Sequence, residues 1–287
     1  MSFAADYLAQ LAAFAARGPL TRVRRLHLPP PAGGDPADNK GEFCAVELED
    51  GAIGLAYALL DDTLDRLRGI AAGNTLAGTD ALQLAQGYAG TGATGRTLGF
   101  AAANALTRSL FDRAGYRPDK SGDSIGGMDP QPGERIGMIG LFRPLLGRIL
   151  ERGAQLTVVE LKQELAGDNP GYRVTLDASE LAGCAKVLST STLLLNDTLD
   201  RMLAACHDAR WFAMVGPGAG CLPDALFARG VTLLGGNWIV DGAAFLDALA
   251  RGASTSEWSY KFAVTQASYP GFPLLLERAA GRSSDGA

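Results

Sequence analysis

Arg135-Ile-Gly-Met-Ile-Gly140-Leu-Phe-Arg-Pro144 and Leu156-Thr-Val-Val-Glu160 decide the fold. Each begins as a short apolar run and ends in a turn or an acid, and residues 145–152 between them have helical spacing. The stretch therefore reads strand, helix, strand. The same alternation continues toward the C-terminus, with strands at 185–189, 211–215 and 231–234 and helices at 179–182, 196–206, 224–229 and 242–251. Five strands joined by helical crossovers predict a Rossmann-like, doubly wound parallel sheet.

Upstream the pattern changes to α+β. Residues 4–16 repeat apolar side chains at helical spacing, with Tyr7, Leu8, Leu11 and Phe14 on one side. The proline-rich run from Leu28 to Lys40 cannot be helical, because its prolines lack donors and fix φ. Residues 43–48 and 52–59 flank Glu49-Asp50-Gly51 and predict a β-hairpin. Helices follow at 64–70, 81–88 and 97–112, the last with Thr97 as its cap. Proline and glycine then punctuate residues 116–134, which predicts a small α+β domain over 1–120, a linker over 121–134 and the Rossmann-like domain over 135–287. Beyond Gly252 the chain is aromatic but aperiodic, and residues 281–287 read as a disordered polar tail.

Composition narrows the function. The 287-residue chain carries a formal charge of −5 with its arginines scattered, so no basic face is offered to nucleic acid. The alanine-rich start lacks the basic and apolar regions of a secretory signal, and no apolar run approaches the roughly 20 residues of a membrane span. Four widely spaced cysteines without a CxxC pair read as reduced thiols, and the expected setting is the cytoplasm, with no membrane partner. The two histidines, His27 and His207, stand at no zinc-site spacing. There is no G-x-S-x-G elbow, phosphate-binding P-loop or HExxH.

In an open parallel sheet, ligands bind beyond the carboxyl ends of the strands, so the strand ends hold the candidates. Gly140 and Pro144 suit a tight turn and a helix start, or a backbone approach to a ligand, but the spacing is not GxGxxG. Glu160 ends the next strand, where an acid can contact a ribose. Ser189-Thr190-Ser191-Thr192 and Asn196-Asp197-Thr198 crowd hydroxyls and amides beyond a third strand, either as helix caps or as a cradle for an anion or oxygen-bound ion. Gly216-Pro217-Gly218 forms a rigid turn or a ligand-approaching loop, and Gly235-Gly236-Asn237 marks another strand end. Cys221 alone among the cysteines falls in a strand-end loop, giving it a claim to metal binding.

Together, Arg135–Gly140, Val158–Glu160, Ser189–Thr192 with Asn196–Thr198, Gly216-Pro217 and Leu234–Gly236 resemble the heavy-metal chelation family. The hairpin residues Gly51–Tyr57 and the segment Gly99–Ala105 are similar to its N-terminal portion. That resemblance implies an enolase-N-terminal-like domain before the Rossmann-like one, and a site between them that binds a metal ion or a metal-containing small molecule. The implied ligand-binding residues are Asn104, Gly140, Glu160, Thr190, Ser191, Asn196, Thr198, Gly216 and Pro217; the candidate metal ligands, of unspecified element, are Glu160 and Asn196, with Cys221 added from its own place in a strand-end loop. Oxygen ligands of this kind suit a hard metal or an oxyanion-bearing complex. The rival reading is an enzyme, a transferase or lyase, that holds a nucleotide- or S-adenosylmethionine-like cofactor in the same cleft. Apolar Trp238-Ile-Val240 fits either a homodimer edge or a buried final strand.

Overall fold

The computed structural model describes residues 2–31, 43–58, 62–122 and 127–284, with side chains to 281. Most of the proline-rich run, the end of the predicted second hairpin strand, part of the linker and the last residues of the tail lie outside the described residues.

The N-terminal half carries a three-stranded antiparallel sheet in the order β1 (Val23–His27), β2 (Phe43–Leu48), β3 (Ile53–Tyr57). The β2–β3 hairpin turns through Gly51 at φ +85°, and Asp50 accepts the Ala52 amide at 3.1 Å. β1 has no counterpart in the sequence reading. A bulge between Val23 and Arg25 puts buried Val23 and Leu26 three positions apart, which destroys the strand's alternation.

Four helices accompany this sheet: α1 (Phe3–Ala15), α2 (Thr63–Gly73), α3 (Ala81–Gln86) and α4 (Ala93–Arg113); α4 packs on β2 and β3, α2 on β1, and α1 and α3 on α4. α4 is the axis of the molecule and is buried over most of its length. It begins earlier than a cap at Thr97 implies; Gly92 precedes it, and Thr97 is fully buried within it. Its small residues let β3 lie against the helix backbone. A Cβ on Gly54 would fall 2.1 Å from the Ala101 carbonyl oxygen, so only glycine fits there.

The second sheet holds eight strands rather than five. They are β4 (Arg135–Ile139), β5 (Gln155–Val159), β6 (Gly167–Asn169), β7 (Tyr172–Thr175), β8 (Lys186–Thr190), β9 (Trp211–Val215), β10 (Leu233–Ile239) and β11 (Ser259–Thr265). Their order is β11-β10-β9-β8-β4-β5-β7-β6, parallel except for antiparallel β6 and β11 at the two edges. Helices α5 (Arg143–Leu150), α6 (Leu199–Ala205), α7 (Asp224–Phe227) and α8 (Gly242–Ala250) follow β4, β8, β9 and β10. The fold is mixed α/β with a mostly parallel, Rossmann-like central sheet.

The segment beyond Gly252 is structured, contrary to its aperiodic reading: it forms β11 and then α9 (Phe272–Ser284), which packs on α4. The polar tail thus begins inside a helix. β10 also runs further than residues 231–234. Its parallel pairing with β9 stops at Gly235, and residues 236–239 pair with β11. That extension carries Trp238 onto α4, where it stacks on Phe111 at 6.3 Å and lies 3.9 Å beneath the Arg108 guanidinium. Trp238 and Ile239 therefore fill an intrachain contact, while Val240 is exposed. A continuous core runs from Phe3 and Tyr7 through Leu106 to Leu226 and Leu275, joining both sheets.

Candidate functional site

From β4 the sheet grows in both directions, toward β5 and toward β8, and such a switch point leaves a crevice beyond the strand ends. A cavity of about 430 Å³ occupies it, with Phe43 and Tyr57 of the first sheet forming the facing wall. Gly140, Glu160, Thr190, Ser191, Asn196, Thr198, Gly216 and Pro217 all line it. The strand ends that the sequence marks separately thus meet in one place.

Glu160 stands just past β5. Its Oε2 accepts the Leu141 amide at 3.0 Å and its Oε1 accepts the Leu161 amide at 2.7 Å, so the carboxylate holds the turn after β4. That turn passes through Gly140 at φ +84°, where a Cβ would come within 3.1 Å of Thr190. α5 begins at Arg143-Pro144, as the proline requires.

The loop after β8 bonds largely to itself. Thr190 Oγ1 accepts from the Thr192 amide at 3.3 Å, and Asn196 Oδ1 accepts from the Thr198 amide at 3.3 Å and hydroxyl at 2.6 Å. Asn196 closes a turn instead of capping a helix, and α6 starts only at Leu199. Ser191 is 5% exposed, yet its hydroxyl has no hydrogen-bond partner among the described residues. Gly216 passes directly over it: a Cβ there would fall 2.3 Å from Ser191 Oγ, at φ +151°.

Two predicted residues stand elsewhere. Asn104 is buried and does not line the cavity. Its Nδ2 donates to Leu55 O at 2.9 Å and Gly218 O at 3.0 Å, and its Oδ1 accepts from the Tyr7 hydroxyl at 3.1 Å, so it ties the two sheets together. Cys221 is also outside the cavity walls. It is 2% exposed, and burial pushes its thiol up to about 12, which disfavours the thiolate that a metal needs. Among the described residues, no group of three or more His, Cys, Asp and Glu is placed to hold a metal. His27 instead meets Glu47 at 2.8 Å on the first sheet, and His207 is exposed beside Asp208.

The aromatic wall and the support behind the loop carry no signal in residue spacing. Phe43 and Tyr57 form an edge-to-face pair at 5.7 Å. Behind the cavity, the Tyr88 hydroxyl donates to Leu194 O at 2.6 Å, Arg96 donates to Leu195 O at 3.3 Å, and Arg96 pairs with Asp197, whose φ is +57°. Arg96 belongs to α4 and Tyr88 to the turn before it, so the helices beside the first sheet set the shape of the loop after β8. The hairpin around Phe43 was legible; its position over β8 depends on packing that spacing does not encode.

Residues 123–267, just over half of the chain, match the DUF364 family model, described as "Putative heavy-metal chelation", and residues 41–107 match a second model, DUF4213, with the same description. No curated protein matches the chain. A crystal structure of a DUF364 protein of unknown function from Pyrococcus horikoshii is 20% identical with a TM-score of 0.65, covering 92% of this chain and 100% of its own. Another, from Desulfitobacterium hafniense DCB-2, is 20% identical with a TM-score of 0.65, covering 93% and 100%. At this identity the likeness is one of fold. By the span of its family match, the chain belongs to the DUF364 family, whose model carries the heavy-metal chelation description.

Proposed function

We propose that the cavity beyond β4 and β8 binds a metal-containing small molecule, so that the chain handles metal as a preformed complex with an organic ligand. The observation that carries this reading is a ligand-sized cavity whose only carboxylate among the described residues, Glu160, already accepts two backbone amides. A bare cation needs several charged or soft donors at once. The aromatic wall and the Ser191 hydroxyl instead suit an organic body with polar edges, and the family description supports metal as its cargo. A reducing cytoplasm fits four cysteines that are all free and buried.

Thermal unfolding tests this, because a ligand selective for the native chain must raise its stability by mass action. Metal-chelate complexes with planar organic ligands raise the Tm, the corresponding aquo ions do not, and Ser191→Leu abolishes the shift. A Tm raised equally by the bare ion overturns the reading.

A second reading has its own support. Glu160 lies at the end of the strand following β4, where the acid of a dinucleotide site contacts a ribose. A nucleotide or S-adenosylmethionine that raises the Tm without metal, and fails to do so in Glu160→Gln, favours that enzyme class.

A further inference from the structure

Across Pro217 the molecule opens into two further cavities, of about 330 Å³ and about 870 Å³, and Ser121, Asn237 and Lys261 line both. Lys120 joins Lys261 in the wall of the larger one. Although the chain has a net charge of −5, among the described residues neither cavity has an aspartate or glutamate in its lining. The two lysines belong to one piece of structure. Lys120 bridges Phe262 of β11, the Ser121 amide donates to Lys261 O at 2.8 Å, and Lys261 lies opposite Asn237 of β10. Neither ammonium has an ion-pair or hydrogen-bond partner among the described residues.

We propose that this concavity is a subsite for an oxyanion, a carboxylate or phosphate group, held by Lys120, Lys261 and Asn237. A concave wall whose described charged residues are the two lysines focuses the field on an anion, and each ammonium supplies charge-assisted hydrogen bonds. The asparagine amide adds a neutral donor. The subsite stands on these residues alone. That the oxyanion is an arm of the molecule in the first cavity rests on the function proposed above, and on Pro217, which borders all three cavities.

Nuclear magnetic resonance of the full chain tests it, with inorganic phosphate and acetate titrated separately at constant ionic strength against chloride. The amide signals of Lys120, Ser121, Asn237 and Lys261 move and saturate, and the anion that saturates at the lower concentration identifies the oxyanion class. The double variant Lys120→Gln, Lys261→Gln, at two exposed positions, weakens that binding at least about tenfold, as loss of charge-assisted contacts requires. Shifts that follow chloride, fail to saturate or survive the double variant overturn the subsite. Ser191→Ala acts only on the first cavity, so phosphate or acetate binding persists in it even if the metal-complex reading fails.

Discussion

The loops after β8 and β9 both read in sequence as strand-end candidates, one crowded with hydroxyls and the other with glycines, but the structure uses them differently. The Ser189–Thr198 loop satisfies most of its own polar groups, leans on Tyr88 and Arg96 from behind, and turns Ser191 toward the cavity. The Gly216–Pro223 loop lines the cavity through Gly216 and Pro217; its next residues sink into the core shared by the two sheets, beneath Asn104. A polar cluster that closes on itself can still present one free group, whereas a glycine run can be flexible in sequence yet serve to bring backbones together.

The largest expected effect separates the two loops at Asn104. Replacing it with alanine leaves Leu55 O, Gly218 O and the Tyr7 hydroxyl short of buried partners, and costs about 3 kcal/mol. Equilibrium urea unfolding measures this, and a loss below 1 kcal/mol would mean that the glycine loop does not depend on the asparagine. Next comes Gly216→Ala, which drives a Cβ onto Ser191 Oγ at a φ that disfavours side chains and costs about 2 kcal/mol. Part of that cost disappears in Gly216→Ala, Ser191→Gly, so the double-mutant cycle is non-additive; strict additivity would separate the two loops. Tyr88→Phe removes one buried donor from Leu194 O and costs about 1 kcal/mol.

The smallest effect at neutral pH concerns the thiols. Burial pushes Cys44, Cys206 and Cys221 up to about 12, so in the folded chain they hold their protons more tightly than in the unfolded one. Their contribution is fully present below the unfolded thiol pKa of about 9 and is lost as pH rises from there toward 12. Thiol-reactive dye at pH 8 leaves the native chain unlabelled, and stability measured against pH falls only on the alkaline side. Rapid labelling of Cys221 would place it on the cavity side of its loop after all.

The sequence made the parallel sheet legible wherever a strand was an uninterrupted apolar run, as in Arg135–Ile139 and Trp211–Val215. It hid β1 behind a bulge, and β11 because only Phe262 and Val264 of its seven residues are buried. The cavity's hydroxyl and glycine lining stood out because those residues cluster along the chain. Phe43, Tyr57 and Arg96 did not, since their part in the site comes from α4 docking one sheet on the other across long sequence distances.

The most direct test of the metal-complex reading is to denature natively purified, chelator-free chain and measure metal and small organic molecules in the same extract. They are expected to appear together near one complex per chain, and both to be lost from Ser191→Leu. Metal bound one per chain with no organic companion, and retained by that variant, would contradict it.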